Sequence, residues 1–333
     1  MLNNKLSLDN KLALDNKLTY VVGENIKDTK LRDYLKYTEN LSSRFIKSSG
    51  TSGKISVNGK VVKLNHRINS VDKIEIDMKK DEHQNIEPEK MDLDVVYDDM
   101  DLIVINKSSG IVVHPTRGVP FGTLANGVSY YFKERNENCI VRLVSRLDRD
   151  TTGLIIIAKN QFAHMALARD MQSSDAGVIA IQGKSAQGID MQDKTFEKSY
   201  MAVVHGNMEN KSGTIDLPIG KLDEDSIKNE VFENGQRSIS HYEVIDSFKN
   251  GDLVRITLET GRTHQIRVHF SHIGHPLYGD SLYGTSESQY IDRQALHAYK
   301  LVFPHPRTGE QLILQSKLPE DIESLISKLK AES

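Results

Sequence analysis

Ser145-Arg146-Leu147-Asp148-Arg149-Asp150-Thr151-Thr152-Gly153 runs straight into Leu154-Ile155-Ile156-Ile157-Ala158-Lys159. The first part is polar and turn-like, and the second reads as a buried apolar strand. A carboxylate placed at that junction can be held rigidly at the rim of a cleft. An arginine beside it is close enough to keep it ionised. The plainer reading is a solvated turn or a cap, because Asp and Thr in turns bond their own backbone. The rest of the chain decides between the two.

Downstream and upstream of this strand, short apolar stretches alternate with turns. Strands are expected at Val95–Tyr97, Leu102–Ile105, Ile111–Val113, Leu154–Ala158, Tyr200–Val204, Tyr242–Ile245, Leu253–Leu258 and Gln265–Phe270. Helices are expected at Thr123–Phe132, at Gln161–Met171 behind an Asn160 cap, and at Pro319–Lys330. Many strands with few helices describe an α+β domain built on a mixed, largely antiparallel sheet, spanning residues 92–333.

The region before it differs in kind. Residues 1–19 repeat Asn-Lys-Leu-x-Leu-Asp almost perfectly, a period that suits neither a heptad nor a buried strand. They read as a loose, low-complexity extension, with a capping strand or helix as the alternative. Residues 20–80 read as a small α+β module. Asp28 can cap a helix carrying Leu31, Tyr34 and Leu35, and a second helix follows from Ser42. Asn58-Gly59 between Ile55–Val57 and Val61–Leu64 is a hairpin signal, and Val71, Ile74 and Ile76 suggest a closing strand. Residues 81–91, polar, acidic and containing Pro88, read as a linker.

Charge separates the two regions further. The whole chain carries −3, but Val21–Lys80 has thirteen Lys and Arg against seven Asp and Glu, a local +6. No acid occurs between Asn40 and Val71, whereas Arg44, Lys47, Lys54, Lys60, Lys63 and Arg67 do. Such a surface suits a polyanion, while a generic solvated face is the plainer reading. No apolar run approaches the length of a membrane span, and no apolar signal core opens the chain. Cys139 is the only cysteine, so no internal disulfide can form, as in a reducing cytoplasm. A lone cysteine of this kind is read as a small buried apolar residue.

The run from Arg146 resembles the Arg-Leu-Asp-x-x-Thr-Ser/Thr-Gly signature of RluA/RluD-type RNA pseudouridine synthases. Ser145 stands where that pattern usually has His. Other segments resemble the same family in the same order: Tyr97–Lys107 with Gly110–Pro115, Phe196–Gly206 around Lys198-Ser199-Tyr200, Thr260–His269 followed by Gly274–Asp280, and His297-Ala298. Ser108-Ser109 replaces the usual Pro and small residue. The resemblance covers about residues 20 to 320, apart from the Gly-, Ser- and Ala-rich stretch within 172–193. That stretch reads as an insertion loop. Residues 20–80 resemble the small RNA-binding module that precedes the catalytic domain in many such synthases.

The resemblance implies an isomerase that turns specific uridines into pseudouridine, acting on ribosomal RNA of the large subunit, with tRNA as the alternative substrate. It implies Asp148 as the catalytic carboxylate, Tyr200 as the platform for the uracil, and Arg146 as the wedge that fills the vacated stack. Arg267 is the expected partner of Asp148, holding it bidentately and lowering its pKa. Arg262 and His264 are expected to meet phosphate or position the strand, alongside Arg44, Lys47, Lys54 and Lys60 of the module. The isomerisation needs neither redox step nor external energy, so no cofactor and no metal are expected. His264, His269, His272 and His275 invite a zinc reading, but no Cys or carboxylate set accompanies them at ligand spacing, and strand alternation would split them between faces. The enzyme is expected to be a cytoplasmic monomer. Two competitors remain: a catalytically silent RNA-binding or ribosome-assembly factor, and a glycoside hydrolase, which typically requires a second catalytic carboxylate.

Overall fold

A computed structural model describes residues 17–78, 84–175, 195–221, 226–284 and 290–332. The hexad repeat up to Asn16 and most of the expected insertion lie outside them. The described residues divide into two units, one ending before residue 82 and one after it.

The first unit is a four-stranded antiparallel sheet with two short helices. Its elements are β1 (Lys17–Val21), β2 (Thr29–Lys30), α1 (Leu31–Tyr37), α2 (Ser43–Thr51), β3 (Ile55–Val57), β4 (Lys60–Val61), β5 (Arg67–Ile68) and β6 (Lys73–Asp77). The sheet order is β1-β6-β3-β4, with β2 and β5 paired apart from it. Leu18, Tyr20, Ile55, Val57, Ile74 and Ile76 alternate inward and are buried with Leu31, Leu35 and Ile46. Asn58 and Gly59 both take positive φ, 50° and 79°, as a tight hairpin of this twist demands. Three expectations need correction. Lys17–Thr19, read as part of the loose extension with a capping strand or helix as the alternative, form a strand paired with β6. Asp28 does not cap α1: Lys30 precedes the helix without a side-chain cap, and Asp28, at φ 48°, accepts from Arg67 instead. Val71 is exposed at φ 63° and stands outside the strand.

The second unit contains β7 (Asp94–Asp98), β8 (Leu102–Lys107), α3 (Leu124–Glu134), β9 (Arg142–Leu143), β10 (Thr152–Ala158), α4 (Gln161–Asp175), β11 (Glu197–His205), β12 (Ser212–Asp216), β13 (Ile219–Gly220), β14 (Glu230–Val231), β15 (Ile239–Phe248), β16 (Gly251–Leu258), α5 (Gln265–His272), β17 (Leu296–Pro304), β18 (Gln311–Gln315) and α6 (Glu320–Ala331). Its main sheet runs β12-β15-β16-β11-β17-β10-β8-β7, with β9 on β10 and β18 on β17. Among the described residues only β10 and β17 pair in parallel, so the sheet is mixed and largely antiparallel, as expected.

Helices cover both faces of this sheet, which explains why β10 is apolar from Leu154 to Ala158. Leu154, Ile156 and Ala158 face Ala163 and Leu167 of α4, while Ile155 and Ile157 face Leu124, Val128 and Phe132 of α3. Farther along, Ala202, Val204, Val254 and Ile256 meet Ile266 and Phe270 of α5, and Met201, Val203 and Leu253 meet Ile322 and Leu325 of α6. Each buried Val, Leu, Ile, Phe or Met among them contributes about 1.5–3 kcal/mol by leaving water. The cap expected at Asn160 is present, accepting from Ala163 N, and Thr123 caps α3 by accepting from Asn126 N.

Ile111–Val113 is not a strand; the carbonyls of Val112 and Val113 accept from the first N–H groups of α3. Gln265–Phe270, expected as a strand, is helix α5. Residues 84–91, within the stretch read as a linker, lie against α3: Ile86 is buried there, and Asn126 donates to the Glu87 carbonyl.

Candidate active site

Asp148 lies in the turn immediately before β10, and that turn is fixed through its carbonyl oxygens. Lys107, at the end of β8 and almost fully buried, donates to Arg149 O at 2.7 Å, Ser108 O at 2.9 Å and Ile111 O at 3.0 Å. Three acceptors match the three protons of one ammonium group. Burial pulls the Lys107 amine down to about 8, with Asp150 and Asp148 opposing that pull. Arg293 donates to Asp150 O at 3.1 Å, and Thr151 N to Asp148 O at 3.2 Å.

Gly153 brings the neighbouring strands in. At φ +109° it pairs with Ala298 of β17, and a Cβ there would lie 2.3 Å from Ala298 O, so only glycine allows the approach. On its other side β17 pairs with β11, and the register slips between Ser199 and Tyr200, so that Tyr200 faces Ala298. A bulge of this kind re-aims the side chain beside it. Tyr200 is thereby brought near the Asp148 turn. Burial raises its hydroxyl pKa, and the Asp148 charge raises it further, so the phenol keeps its proton. That hydroxyl has no hydrogen-bond partner among the described residues.

The cation comes from α5. Arg267 Nη1 donates to Asp148 Oδ2 at 3.0 Å, while Nε and Nη2 grip Asp280 at 2.7 and 2.8 Å. The bidentate partner of Arg267 is thus Asp280, which is fully buried, and Asp148 receives a single bond. Burial alone would lower the Arg267 pKa and raise that of Asp280, but their pairing reverses both. His264, just before α5, places Nε2 3.8 Å from Asp148 Oδ2. It lies beside the carboxylate and is only 19% exposed. His264 at the start of α5 and Arg267 in its first turn both approach Asp148, whereas residues three apart on a strand would point to opposite faces.

Arg146 is exposed on the same turn and makes no hydrogen bond or ion pair among the described residues. Arg262 is exposed and donates to Arg237 O at 3.2 Å. In the first unit Arg44, Lys47 and Lys60 are exposed and Lys54 half-buried, with none in an ion pair among the described residues. Asp150 is held by its neighbour Arg149, with the closest contact at 2.9 Å.

Sequence reasoning gave no role to Lys107, Asp280, Arg293 or Tyr283. A lysine closing the apolar run Leu102–Ile105 was the one visible sign of an internal ammonium. The histidines of the discarded zinc reading go to separate partners: His269 to Ser240 and the Leu217 carbonyl, His275 to the His205 carbonyl. Their separation comes from helix α5 and the turn after it, where strand alternation was expected. Among the described residues, metal-ligand atoms converge only at Asp99, Asp101 and His305. Arg307 pairs with Asp101 of that group at 2.6 Å, and His305 lies 2.7 Å from Asp99. Burial pushes the Cys139 thiol up to about 12, consistent with a packing residue. No helix among the described residues is long and apolar enough to cross a membrane.

Residues 101–272, which include Asp148, Tyr200 and Arg267, match the family model described as RNA pseudouridylate synthase. The chain belongs to that family. An uncharacterized RNA pseudouridine synthase of Bacillus subtilis, YlyB, is 38% identical over 92% of this chain and 96% of its own length. Ribosomal large subunit pseudouridine synthase D of Haemophilus influenzae is 34% identical over 88% of this chain and 91% of its own. Human RNA pseudouridylate synthase domain containing 4 shares the fold, with a TM-score of 0.54 and 22% identity over 71% of this chain and 92% of that one. The pseudouridine synthase reading of the motifs is therefore borne out, and the chain is an isomerase acting on RNA.

Proposed function

We propose that this pseudouridine synthase converts specific uridines of large-subunit ribosomal RNA, with Asp148 as the reacting carboxylate. The observation that carries the reading is the site itself: one carboxylate, 28% exposed, on a pinned turn, with an arginine bond to one oxygen and an aromatic ring nearby. The N1–C1′ bond of uridine breaks, the base turns, C5 joins C1′, the C5 proton leaves to solvent or a base, and N1 takes up a proton in its place. The reaction balances without oxidant or reductant. Asp148 supplies negative charge to the sugar as the bond opens, by attack or by electrostatic stabilisation. Tyr200 offers a flat face to the base and a protonated hydroxyl beside it. Arg146, free at the rim, fills the gap left by the flipped nucleotide.

The relatives named for the ribosomal large subunit support rRNA as substrate, and the acid-free basic run of residues 40–71 suits a structured polyanion. We place the reaction in the cytoplasm and assign it to a monomer, with residues 20–80 as the RNA-holding module. Mapping pseudouridine in rRNA and tRNA from cells with and without this gene tests the assignment. Loss of one or more large-subunit positions is expected. Loss confined to tRNA positions would replace rRNA by tRNA, and an unchanged map would refute both.

A further inference from the structure

His264 is held in a backbone conformation that is uncommon outside glycine. It precedes α5 at φ 58° and ψ 19°, left-handed backbone that Gly and Asn adopt readily and other residues adopt at a cost of about 1–2 kcal/mol. It makes no capping hydrogen bond that would repay this. Its imidazole instead reaches two groups. Nδ1 lies 2.9 Å from Tyr283 Oη, and Nε2 lies 3.8 Å from Asp148 Oδ2.

The proton positions follow from the neighbours. Asn229 N–H, which can only donate, gives its hydrogen to Tyr283 Oη at 2.9 Å. The phenol proton then has one acceptor among the described residues, His264 Nδ1. An imidazole accepting at Nδ1 carries its proton on Nε2, the nitrogen facing Asp148. Burial keeps the ring below the ordinary histidine value; Asp148 works against this, and Arg267 and Arg146 add to it. Tyr283 is itself anchored: its N–H donates to Asp280 Oδ1 at 3.1 Å, and its ring lies 5.1 Å from the Arg267 guanidinium.

We propose that His264 is a positioning residue, set by Tyr283 as the Nε2–H tautomer, whose proton holds Oδ2 of Asp148 so that Oδ1 is the oxygen presented to the sugar. This rests on Asp148 being the reacting carboxylate. Arg267 and His264 both address Oδ2, and Oδ1 has no hydrogen-bond partner among the described residues. A separation of 3.8 Å is one small rotation short of a hydrogen bond, and sites of this kind tighten when substrate enters.

Two substitutions separate this role from a merely structural one, because they pull in opposite directions. In His264→Gln the amide nitrogen falls near the place of Nε2 and keeps a donor towards Asp148. In His264→Asn the shorter side chain keeps only the Tyr283 contact, yet suits the left-handed backbone better. Single-turnover rates at saturating RNA are expected to stay within roughly tenfold of wild type for Gln and to fall about a hundredfold for Asn, the size of a misplaced reacting group. Thermal stability is expected to rank the other way. Activity that follows the stability order, or equal losses in both variants, would overturn the proposal. Nitrogen-15 spectra of histidine-labelled full-length protein supply a readout without turnover. Wild type is expected to show His264 protonated at Nε2 alone, and Tyr283→Phe a mixture of tautomers. A proton on Nδ1 in wild type would overturn the proposal whatever the rates. Asp148→Asn, run alongside, keeps the two ideas apart: wild-type turnover there would refute the underlying reading instead.

Discussion

The two roles proposed for Tyr200, a stacking ring and a proton-bearing hydroxyl, are distinguished by one oxygen atom. Its raised pKa keeps the phenol protonated, so in the resting enzyme it can donate a proton but not accept one without help. Tyr200→Phe retains the stacking face and is expected to lower single-turnover rate by roughly 10²-fold, within the span of general acid–base contributions. Full activity would leave stacking as its role. The role proposed for Arg146 belongs to a different step. Arg146→Ala is expected to lose turnover on a paired target uridine and to regain part of it when that uridine is already unpaired, since unpaired bases flip at lower cost. Equal losses on both RNAs would contradict the wedge role. Two residue-scale facts were not legible beforehand. Asp280 takes the bidentate face of Arg267, and His264 lies beside Asp148, a neighbour that the expected phosphate contact or positioning of the strand did not name. Both depend on which partner arrives in three dimensions, which the spacing of Arg262, His264 and Arg267 does not reveal.

Among the elements, the β10–β17 junction carries a titratable link. His297 is buried between Thr152 Oγ1 and Ser316 Oγ, each 2.8 Å away, and burial together with Arg293 lowers its pKa to about 4. Between about 4 and the ordinary 6.5 the unfolded chain binds a proton that the folded chain refuses. The stability tied to neutral His297 is therefore whole above about 6.5 and drains away as pH falls towards 4. On the order of 2 kcal/mol should be lost between about pH 7 and about pH 4.5 on this account. Urea unfolding at the two pH values checks it: His297→Gln should lose less than wild type over the same interval, and an equal loss would assign the acid sensitivity to other histidines. The element scale also shows what a sequence can disclose. Strand β10 was legible because five apolar residues follow a turn, and the hairpin at Asn58-Gly59 because positive φ selects those residues. Helix α5 was not. Gln265 to Phe270 are buried all round, so no 3.6-residue stripe appears, and Ile266 and Val268 imitate strand alternation. Its polar residues are satisfied by distant partners, Gln265 by Thr260 and Ile239 and His269 by Ser240.

Across the whole molecule, affinity and chemistry are assigned to different places. If Arg44, Lys47 and Lys60 hold RNA by counterion release, changing all three to Gln should weaken binding. It should also lower the slope of log affinity against log salt by roughly 0.7–0.9 for every phosphate no longer neutralised, with the single-turnover rate at saturation unchanged. An unchanged slope would remove the first unit from RNA binding. Asp148 should behave in the opposite way. Asp148→Asn preserves shape and removes charge, so RNA affinity and fold stability should hardly move, phosphate contacts elsewhere supplying most of the affinity. Asp150, whose carboxylate is occupied by Arg149, should tolerate the same change. The decisive measurement is single-turnover pseudouridine formation by Asp148→Asn and Asp150→Asn on one RNA. A loss of at least about 10³-fold for the first and near-wild-type rate for the second is predicted; equal losses, or wild-type turnover by Asp148→Asn, would contradict the assignment of the reacting carboxylate.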